Sequence, residues 1–469
     1  MIYVHVPFCR SFCTYCSFYS EAAPRCRKQE DIARQESLFE EYIAALEKEI
    51  RTRKDDINRV FASGGVNTLY VGGGTPSVLP LPMFERLVTA LREVGHPCDF
   101  EEFTVEVNPE DIIEKETDFV RGLVALGVNR VSMGVQSFDD DILKWMNRRH
   151  SADQAVKAYR MLEEAGVDNI SIDLIFGLPQ MDEALWRETL SRALSISASG
   201  RPPRHISAYQ LSVEEDSMLE KLIAKGRWTE AGDEVCERQY DVLCEVLKEA
   251  GYNHYEISNF ALPGFEAVHN SAYWSHRAYV GLGPGAHSYL VHGLGETDLL
   301  CIRDLPVCSD GPLPTKLGPS PYPGVGECHL RTSGCAASPE SGTSNSTDSR
   351  TEQPDAPGVE YVRQWNESSL REYLEAAKEG DFSSVQGSER LDEEQLIMEK
   401  VMLGLRTAAG VSEVFLREAC GGAVVDEALS CSNLVYVDDV TTSGSEALRR
   451  IRIPENRFFV SDNIISTII

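Results

Sequence analysis

Short β-rich runs alternate with segments of helical periodicity up to about residue 215, and this alternation constrains the fold most strongly. In helical segments such as Glu36–Arg51 and Leu81–Val94, apolar residues recur at the spacing of one helix face. The predicted strands are Tyr3–Val6, Thr68–Val71, Phe103–Val107, Arg130–Met133, Ile170–Phe176 and His205–Leu211. Because strands separated by helices are joined by parallel crossovers, the pattern predicts an α/β barrel or open sheet.

Polar and glycine-rich residues follow these predicted strands. Cys9–Cys16 comes after the first strand, Gly72–Thr75 follows the second, and Asp173 lies within the fifth. Ligands of parallel α/β folds bind at the carboxyl ends of the strands. The sequence therefore predicts a functional site at this edge of the sheet.

The composition excludes several function classes. The 469 residues include 74 acidic and 45 basic residues, a formal net charge of −29, and an anionic surface repels nucleic acid. No apolar run is long enough for a membrane span, and no targeting segment is expected. Thirteen cysteines without a secretion signal favour free thiols and metal ligation over disulfides, so a cytoplasmic location is expected.

Cys9, Cys13 and Cys16 form a Cys-x3-Cys-x2-Cys pattern in the loop after the first strand. Three thiolates this close can bind three irons of a [4Fe–4S] cluster and leave the fourth iron open to a cofactor. The alternative is a zinc site or chance spacing. Zinc usually takes four protein ligands, and no fourth ligand is suitably spaced here.

Four further segments, taken in order after the cysteines, resemble one superfamily. They are Gly72-Gly73-Gly74-Thr75-Pro76-Ser77, Glu106-Val107-Asn108-Pro109, Gly134-Val135-Gln136-Ser137-Phe138 and Ile172-Asp173-Leu174-Ile175-Phe176-Gly177-Leu178-Pro179. Together they resemble the radical SAM superfamily, specifically the branch around oxygen-independent coproporphyrinogen III oxidase, to which the haem chaperone family HemW is closely related. The resemblance implies a partial (β/α)6 barrel with a smaller α+β C-terminal domain, and a cysteine-bound [4Fe–4S] cluster that binds S-adenosylmethionine.

The resemblance also implies which residues contact S-adenosylmethionine. Glycines let the backbone approach the cofactor closely, carboxylates can accept from its amino and hydroxyl groups, and a guanidinium suits its carboxylate. The implied set is Tyr3, Tyr15, Gly73, Gly74, Thr75, Glu106, Gln136, Arg148 and Asp173.

A second pattern, His-Asn-x-x-Tyr-Trp, spans residues 269–274. A histidine beside an aromatic pair can coordinate haem iron and stack on the macrocycle, although a packed cluster at a domain junction is the alternative. The resemblance to HemW favours haem, bound as cargo, at His269, Asn270, Tyr273 and Trp274.

Two departures favour the haem chaperone over the oxidase. Phe18 stands where the oxidase has a further cysteine, and the first strand begins at residue 2 or 3, without the oxidase's N-terminal extension. The expected function is therefore to bind haem and transfer it to haemoproteins. The expected partners are haem and the proteins that accept it, including acceptors at a membrane surface. The alternative function is that of a radical enzyme, of the coproporphyrinogen III oxidase type, that acts on a tetrapyrrole. A homodimer is a further expected assembly state.

The chain is expected to contain four parts. Residues 1–215 form the core barrel, 216–303 complete it and carry the haem pattern, and 359–469 form the C-terminal domain. Residues 304–358 are rich in Pro, Gly and Ser and predict a disordered insertion, with two Cys-x6-Cys pairs in and beside it. In the C-terminal domain, Leu391–Leu405 predicts a helix and Arg457–Ile469 a strand followed by a short helix.

Overall fold

The computed structural model describes residues 1–23, 28–62, 66–214, 217–292, 359–437 and 449–469. Its strands are β1 (Ile2–Val6), β2 (Phe8–Cys9), β3 (Glu21–Ala22), β4 (Thr68–Gly73), β5 (Glu102–Val107), β6 (Arg130–Gln136), β7 (Asn169–Phe176), β8 (His205–Gln210), β9 (Asn253–Glu256), β10 (Asn259–Ala261), β11 (Val280–Leu282), β12 (His287–His292), β13 (Glu360–Asn366), β14 (Gln386–Leu391), β15 (Val411–Ser412), β16 (Val435–Val437) and β17 (Arg450–Arg452). Its helices are α1 (Gln29–Thr52), α2 (Lys54–Ala62), α3 (Leu81–Glu93), α4 (Pro109–Ala125), α5 (Asp140–Trp145), α6 (Ala152–Glu164), α7 (Glu183–Leu194), α8 (Met218–Ala224), α9 (Asp233–Glu249), α10 (Val268–Trp274), α11 (Leu370–Glu379), α12 (Glu393–Leu405), α13 (Glu413–Cys420), α14 (Gly422–Ser430) and α15 (Ser461–Ile468).

A nine-stranded sheet in the order β11-β1-β4-β5-β6-β7-β8-β10-β9 organises the molecule. The six strands from β1 to β8 in this order run parallel, and β10 pairs antiparallel to β8. All six are strands predicted from the sequence. The α/β prediction with six strand–helix units is confirmed.

Burial explains why these segments form strands and helices. Strand β7 is almost wholly buried, as expected for a parallel strand covered on both faces. Helix α1 instead buries one stripe, which includes Phe39, Ile43, Leu46 and Ile50, at the spacing of one helix face. The helices therefore cover the sheet, and the core lies between them.

A three-stranded antiparallel sheet, β12-β13-β14, connects the barrel to the C-terminal region. Because His292 pairs with Glu360, the residues that flank the intervening chain lie side by side at one end of this sheet. The predicted disordered insertion at 304–358 and its neighbouring cysteines lie outside the described residues. The boundaries of the four predicted parts stay predictions.

A buried carboxylate on α1 fixes this connection. Glu49 is fully buried and accepts hydrogen bonds from Gly283 N (2.8 Å), Asn366 Nδ2 (2.7 Å) and Tyr373 Oη (2.7 Å). Arg53, one turn later on the same helix face, donates to Gly281 O at 2.8 Å. These bonds join the barrel to residues on both sides of the insertion.

One secondary-structure prediction in the C-terminal region is wrong. The segment that begins at Arg457 forms a 3₁₀ turn (Glu455–Val460) followed by helix α15, not a strand. This segment does not pair with any neighbouring strand that the structure describes, and its apolar side chains pack individually into the core. Phe458, for example, is buried and packs against the ring of His254. Within the described chain, the last strand before this segment is β17, and the helix predicted at Leu391–Leu405 is α12.

Candidate functional site

The carboxyl ends of the parallel strands surround a cavity of about 710 Å³. Residues after β1 and residues after β8 both line it, although four strands lie between these two in the sheet. The sheet must therefore curve into a partial barrel. The volume falls within the range of about 300–1,000 Å³ that is typical of ligand sites.

The middle of the cysteine loop is held against the residues that follow α5. Thr14 N donates to Met146 O at 3.2 Å, and Asn147 Nδ2 donates to Phe12 O at 2.6 Å. Beyond the loop, the short strands β2 and β3 pair parallel to each other, which brings the chain back beside Cys9. These contacts hold the three thiols at one end of the cavity.

Cys9, Cys13 and Cys16 all line the cavity. Burial raises the pKa of the Cys9 thiol, and it raises the pKa of Cys16 to about 11, with the neighbouring thiols adding to the effect on Cys16. Both therefore stay protonated at neutral pH without metal, and iron must displace these protons when it binds.

The donor set fits a [4Fe–4S] cluster. Among the residues that the structure describes, no three His, Cys, Asp or Glu side chains are grouped as ligands of a single metal ion. A cubane requires a different arrangement, with each of three thiolates bound to a separate iron. The Arg148 guanidinium, 3.5 Å from Cys13 Sγ, would balance the negative charge of such a cluster.

Arg148 holds a central position in the cavity. Its Nη2 donates to Asn108 Oδ1 at 2.6 Å and to Gly134 O at 2.7 Å. Its buried Nε has no hydrogen-bond partner within the described chain. A buried donor without a partner is costly, so this atom is suited to bind a ligand carboxylate.

Glu106, at the end of β5, faces the same cavity. Its carboxylate accepts from Tyr70 Oη at 2.7 Å and from Gly73 N at 3.1 Å. Burial raises the pKa of Glu106 to about 7 despite these two hydrogen bonds. A cationic amino group in the cavity would favour its ionised form.

The glycines of residues 72–74 are explained by contacts within the protein. A Cβ on Gly73, whose φ is +109°, would lie 2.5 Å from His5 Nδ1, and one on Gly74 would lie 2.8 Å from Phe8 O. The sequence interpretation was that these glycines let the cofactor approach the backbone. The structure shows that contacts within the protein already require glycine at both positions. Both residues and Thr75 still line the cavity, and Thr75 Oγ1 lies 3.4 Å from Cys9 Sγ.

Three other predicted residues line the cavity from neighbouring elements. Asp173 on β7 accepts from Ser132 Oγ at 3.1 Å, and burial raises the pKa of its carboxyl. Gln136 ends β6 with a φ of +67°, a strained conformation for a residue other than glycine. Tyr15, in the cysteine loop, completes this part of the lining.

Tyr3 does not line the cavity, and its predicted role in binding the cofactor stays a prediction. Its hydroxyl lies 3.0 Å from His5 Nδ1, and His5 Nε2 lies 2.9 Å from Tyr19 O. Because a carbonyl only accepts, His5 donates through Nε2 and accepts from Tyr3 through Nδ1. Tyr3 therefore orients the histidine that packs against Gly73.

The four residues predicted to bind haem do not all face the cavity. Asn270 lines the cavity, whereas His269, Tyr273 and Trp274 do not. His269 is only 1% exposed, and its ring nitrogens lie 2.7 Å from Thr68 Oγ1 and 3.0 Å from Tyr273 Oη. Both nitrogens are thus occupied in the barrel interior, and His269 cannot bind haem iron in this conformation.

Sequence reasoning missed four exposed side chains that line the opening of the cavity. They are Phe12 (52% exposed), Phe18 (71%), Tyr209 (43%) and Met218 (55%), which we call the rim. The sequence singled out Phe18 only for the cysteine that it replaces. The position of Phe18 beside the predicted cysteine loop was the one sequence signal that could have indicated the rim. Nothing in the sequence marked Met218 as part of it.

Comparisons with known proteins agree with this geometry. Residues 3–193 match the model of the radical SAM superfamily, which implies a [4Fe–4S] cluster and S-adenosylmethionine. A relative from Lactococcus lactis, described as heme chaperone HemW, is 35% identical over 288 residues, covering 61% of this chain and 69% of the relative. The chain belongs to the HemW family.

Other HemW relatives and one solved structure extend the comparison. The heme chaperone HemW of Bacillus subtilis is 34% identical over 291 residues, covering 61% of this chain and 70% of its own. Coproporphyrinogen III oxidase (HemN) from Escherichia coli has a TM-score of 0.65 at 19% identity, over 100% of this chain and 89% of that chain. HemN and this HemW-family chain therefore share a fold. Within the described part of the chain, no helix has the length and apolar character to cross a membrane.

Proposed function

We propose that this protein is a haem chaperone, which binds haem and transfers it to haemoproteins. The observation that carries the proposal is the cavity, which has the cysteine loop at one end and an opening lined by exposed apolar side chains. A macrocycle that must be released again suits such an open site better than an enclosed one. The names of the HemW relatives support the same function.

Within this proposal, Cys9, Cys13 and Cys16 hold the [4Fe–4S] cluster. When bound, the cluster and S-adenosylmethionine would supply one-electron chemistry. Arg148 Nε would bind the cofactor carboxylate, Glu106 would bind its amino group, and Asp173 would accept from ribose hydroxyls. These roles follow from the charge and hydrogen-bonding capacity of the side chains that line the cavity.

The competing function is oxidation of coproporphyrinogen III. A radical reaction on a buried substrate requires an enclosed pocket that excludes water. Phe18, which is 71% exposed, occupies a rim that leaves the cavity open. This exposure favours a carrier.

A haem titration under anaerobic conditions tests the proposal. The full chain, reconstituted with iron, sulfide and S-adenosylmethionine, should bind one haem, and it should not convert coproporphyrinogen III when a reductant is added. Conversion to protoporphyrinogen IX would refute the chaperone function. Cys13→Ser serves as the control, since it should lose most of the cluster iron.

Transfer requires a partner that accepts haem. We propose haemoproteins as these acceptors, including acceptors at a membrane surface, and a homodimer as a further assembly state. Analytical ultracentrifugation of the loaded and unloaded chain would reveal dimerisation.

A further inference from the structure

The rim is unusual because large apolar side chains are exposed together at one cavity. Phe12 lies on the cysteine loop and Phe18 lies two residues after it, whereas Tyr209 lies on β8 and Met218 begins α8. Clustered exposed apolar surface marks a binding site more often than it reflects chance. Aromatic rings and a thioether also suit the faces of a large planar ligand.

We infer that haem lies across this rim, with the Met218 sulfur as an axial ligand of the iron and with Phe12 and Phe18 packed on the macrocycle. The inference rests on the proposed haem-chaperone function and assigns its binding site. It replaces His269 as the ligand.

The residues that line the cavity leave few iron ligands to choose from. The three cysteines belong to the cluster, and no histidine of the described chain lines this cavity. Tyr209 would have to lose its phenolic proton to bind iron, which the ordinary pKa of a tyrosine disfavours at neutral pH. The thioether of Met218 needs no deprotonation, and methionine is a known axial ligand of haem iron.

Lys221 gives the site its charge complement. It lies three residues after Met218 on α8, and both side chains line the cavity, as neighbours on one helix face do. Haem carries propionate carboxylates at its edge, so an ammonium group one turn from the iron ligand can meet one of them.

The assigned ligand also fits transfer. A neutral thioether binds ferric iron more weakly than an imidazole does, so an acceptor with a histidine ligand can remove the haem. The solvent-exposed position of Met218 leaves the bound iron accessible to that acceptor.

The test compares the full-length wild-type protein with Met218→Leu, Met218→His and His269→Ala, each titrated with haem. Met218→Leu keeps the apolar volume, so it should shift the Soret band of the haem complex and weaken binding about tenfold. Met218→His should restore tight binding with a histidine-type spectrum. His269→Ala should leave the wild-type spectrum unchanged, and Val414→Ala, at an exposed apolar residue away from the cavity, is the matched surface control.

A second variant tests the position of the macrocycle. Phe12→Ala combined with Phe18→Ala should weaken binding about tenfold or more while keeping the wild-type Soret position. Iron content and circular dichroism verify that cluster and fold are intact, as expected for exposed side chains.

The outcomes separate the two proposals. If the wild-type protein binds no haem, the chaperone function fails and the site assignment fails with it. If the wild-type protein binds haem and Met218→Leu has the same spectrum and affinity, only the assignment of Met218 is wrong. An unchanged affinity in the double phenylalanine variant would overturn the placement of haem across the rim.

Discussion

Gly73→Ala should destabilise the barrel by several kcal/mol because the new Cβ meets a histidine that cannot move away. Alanine at a φ of +109° costs about 1–2 kcal/mol for the backbone alone. The Cβ would also lie 2.5 Å from His5 Nδ1 and 2.6 Å from His5 Cε1. His5 is buried and bonded through both ring nitrogens, so shifting its ring breaks about two hydrogen bonds worth about 1 kcal/mol each.

The expected total is about 3–4 kcal/mol, or a fall in melting temperature of about 6–8 °C at roughly 2 °C per kcal/mol. Gly166→Ala is the matched control, because Gly166 has a similar φ of +97° and open space at the Cβ position. Gly166→Ala should lower the free energy of unfolding only by the backbone contribution, about 1–2 kcal/mol. Thermal unfolding followed by circular dichroism measures both variants.

A double-mutant cycle isolates the clash. In a His5→Ala background, Gly73→Ala should cost no more than Gly166→Ala does, because the ring that blocks the Cβ is gone. If Gly73→Ala and Gly166→Ala are equally destabilising in the wild-type background, the contact with His5 is not what requires glycine here.

Three further substitutions test the cavity, the domain connection and a buried carboxyl. Arg148→Met should weaken S-adenosylmethionine binding by about 10–100-fold in calorimetry, because it removes a charged hydrogen bond to the cofactor carboxylate; wild-type affinity would contradict that role. Glu49→Gln should lower the free energy of unfolding by about 2–4 kcal/mol in urea, since three donors lose a charged acceptor, whereas Glu40→Gln at the surface should cost less than about 1 kcal/mol. Burial raises the pKa of Glu256 to about 7, so the folded state keeps this proton at pH values where the unfolded chain, with a pKa of about 4.5, releases it. Stability should therefore fall by up to about 3 kcal/mol between pH 4.5 and 7, and Glu256→Gln should remove that part of the fall; an identical pH profile in the variant would refute the shift.

The strand–helix alternation and the cysteine spacing could be predicted because both are local in sequence. Parallel strands such as Ile170–Phe176 are buried on both faces and form continuous apolar runs, which differ clearly from the one-sided pattern of α1. The strand ends then follow from topology, and this is why Glu106, Gln136 and Asp173 come to one cavity although they are far apart in the chain.

The directions of individual side chains could not be predicted from the sequence, because they depend on packing between distant segments. His269 belongs to a recognisable pattern, yet Thr68, two hundred residues earlier, turns its ring into the barrel interior. Tyr3 is similarly directed to His5. The segment from Arg457 has strand-like composition, but Phe458 packs against a ring on another element and the chain forms a turn. No pattern within these segments carries that information.

Haem transfer is the measurement that tests the haem-chaperone account most directly. The reconstituted chain, loaded with one haem under anaerobic conditions, is mixed with an apo-haemoprotein that carries a histidine ligand, and the two proteins are separated after incubation. The account predicts that haem moves to the acceptor and that the chain keeps its [4Fe–4S] cluster. Haem that remains on the chain, or a chain that never binds haem but converts coproporphyrinogen III, would contradict it.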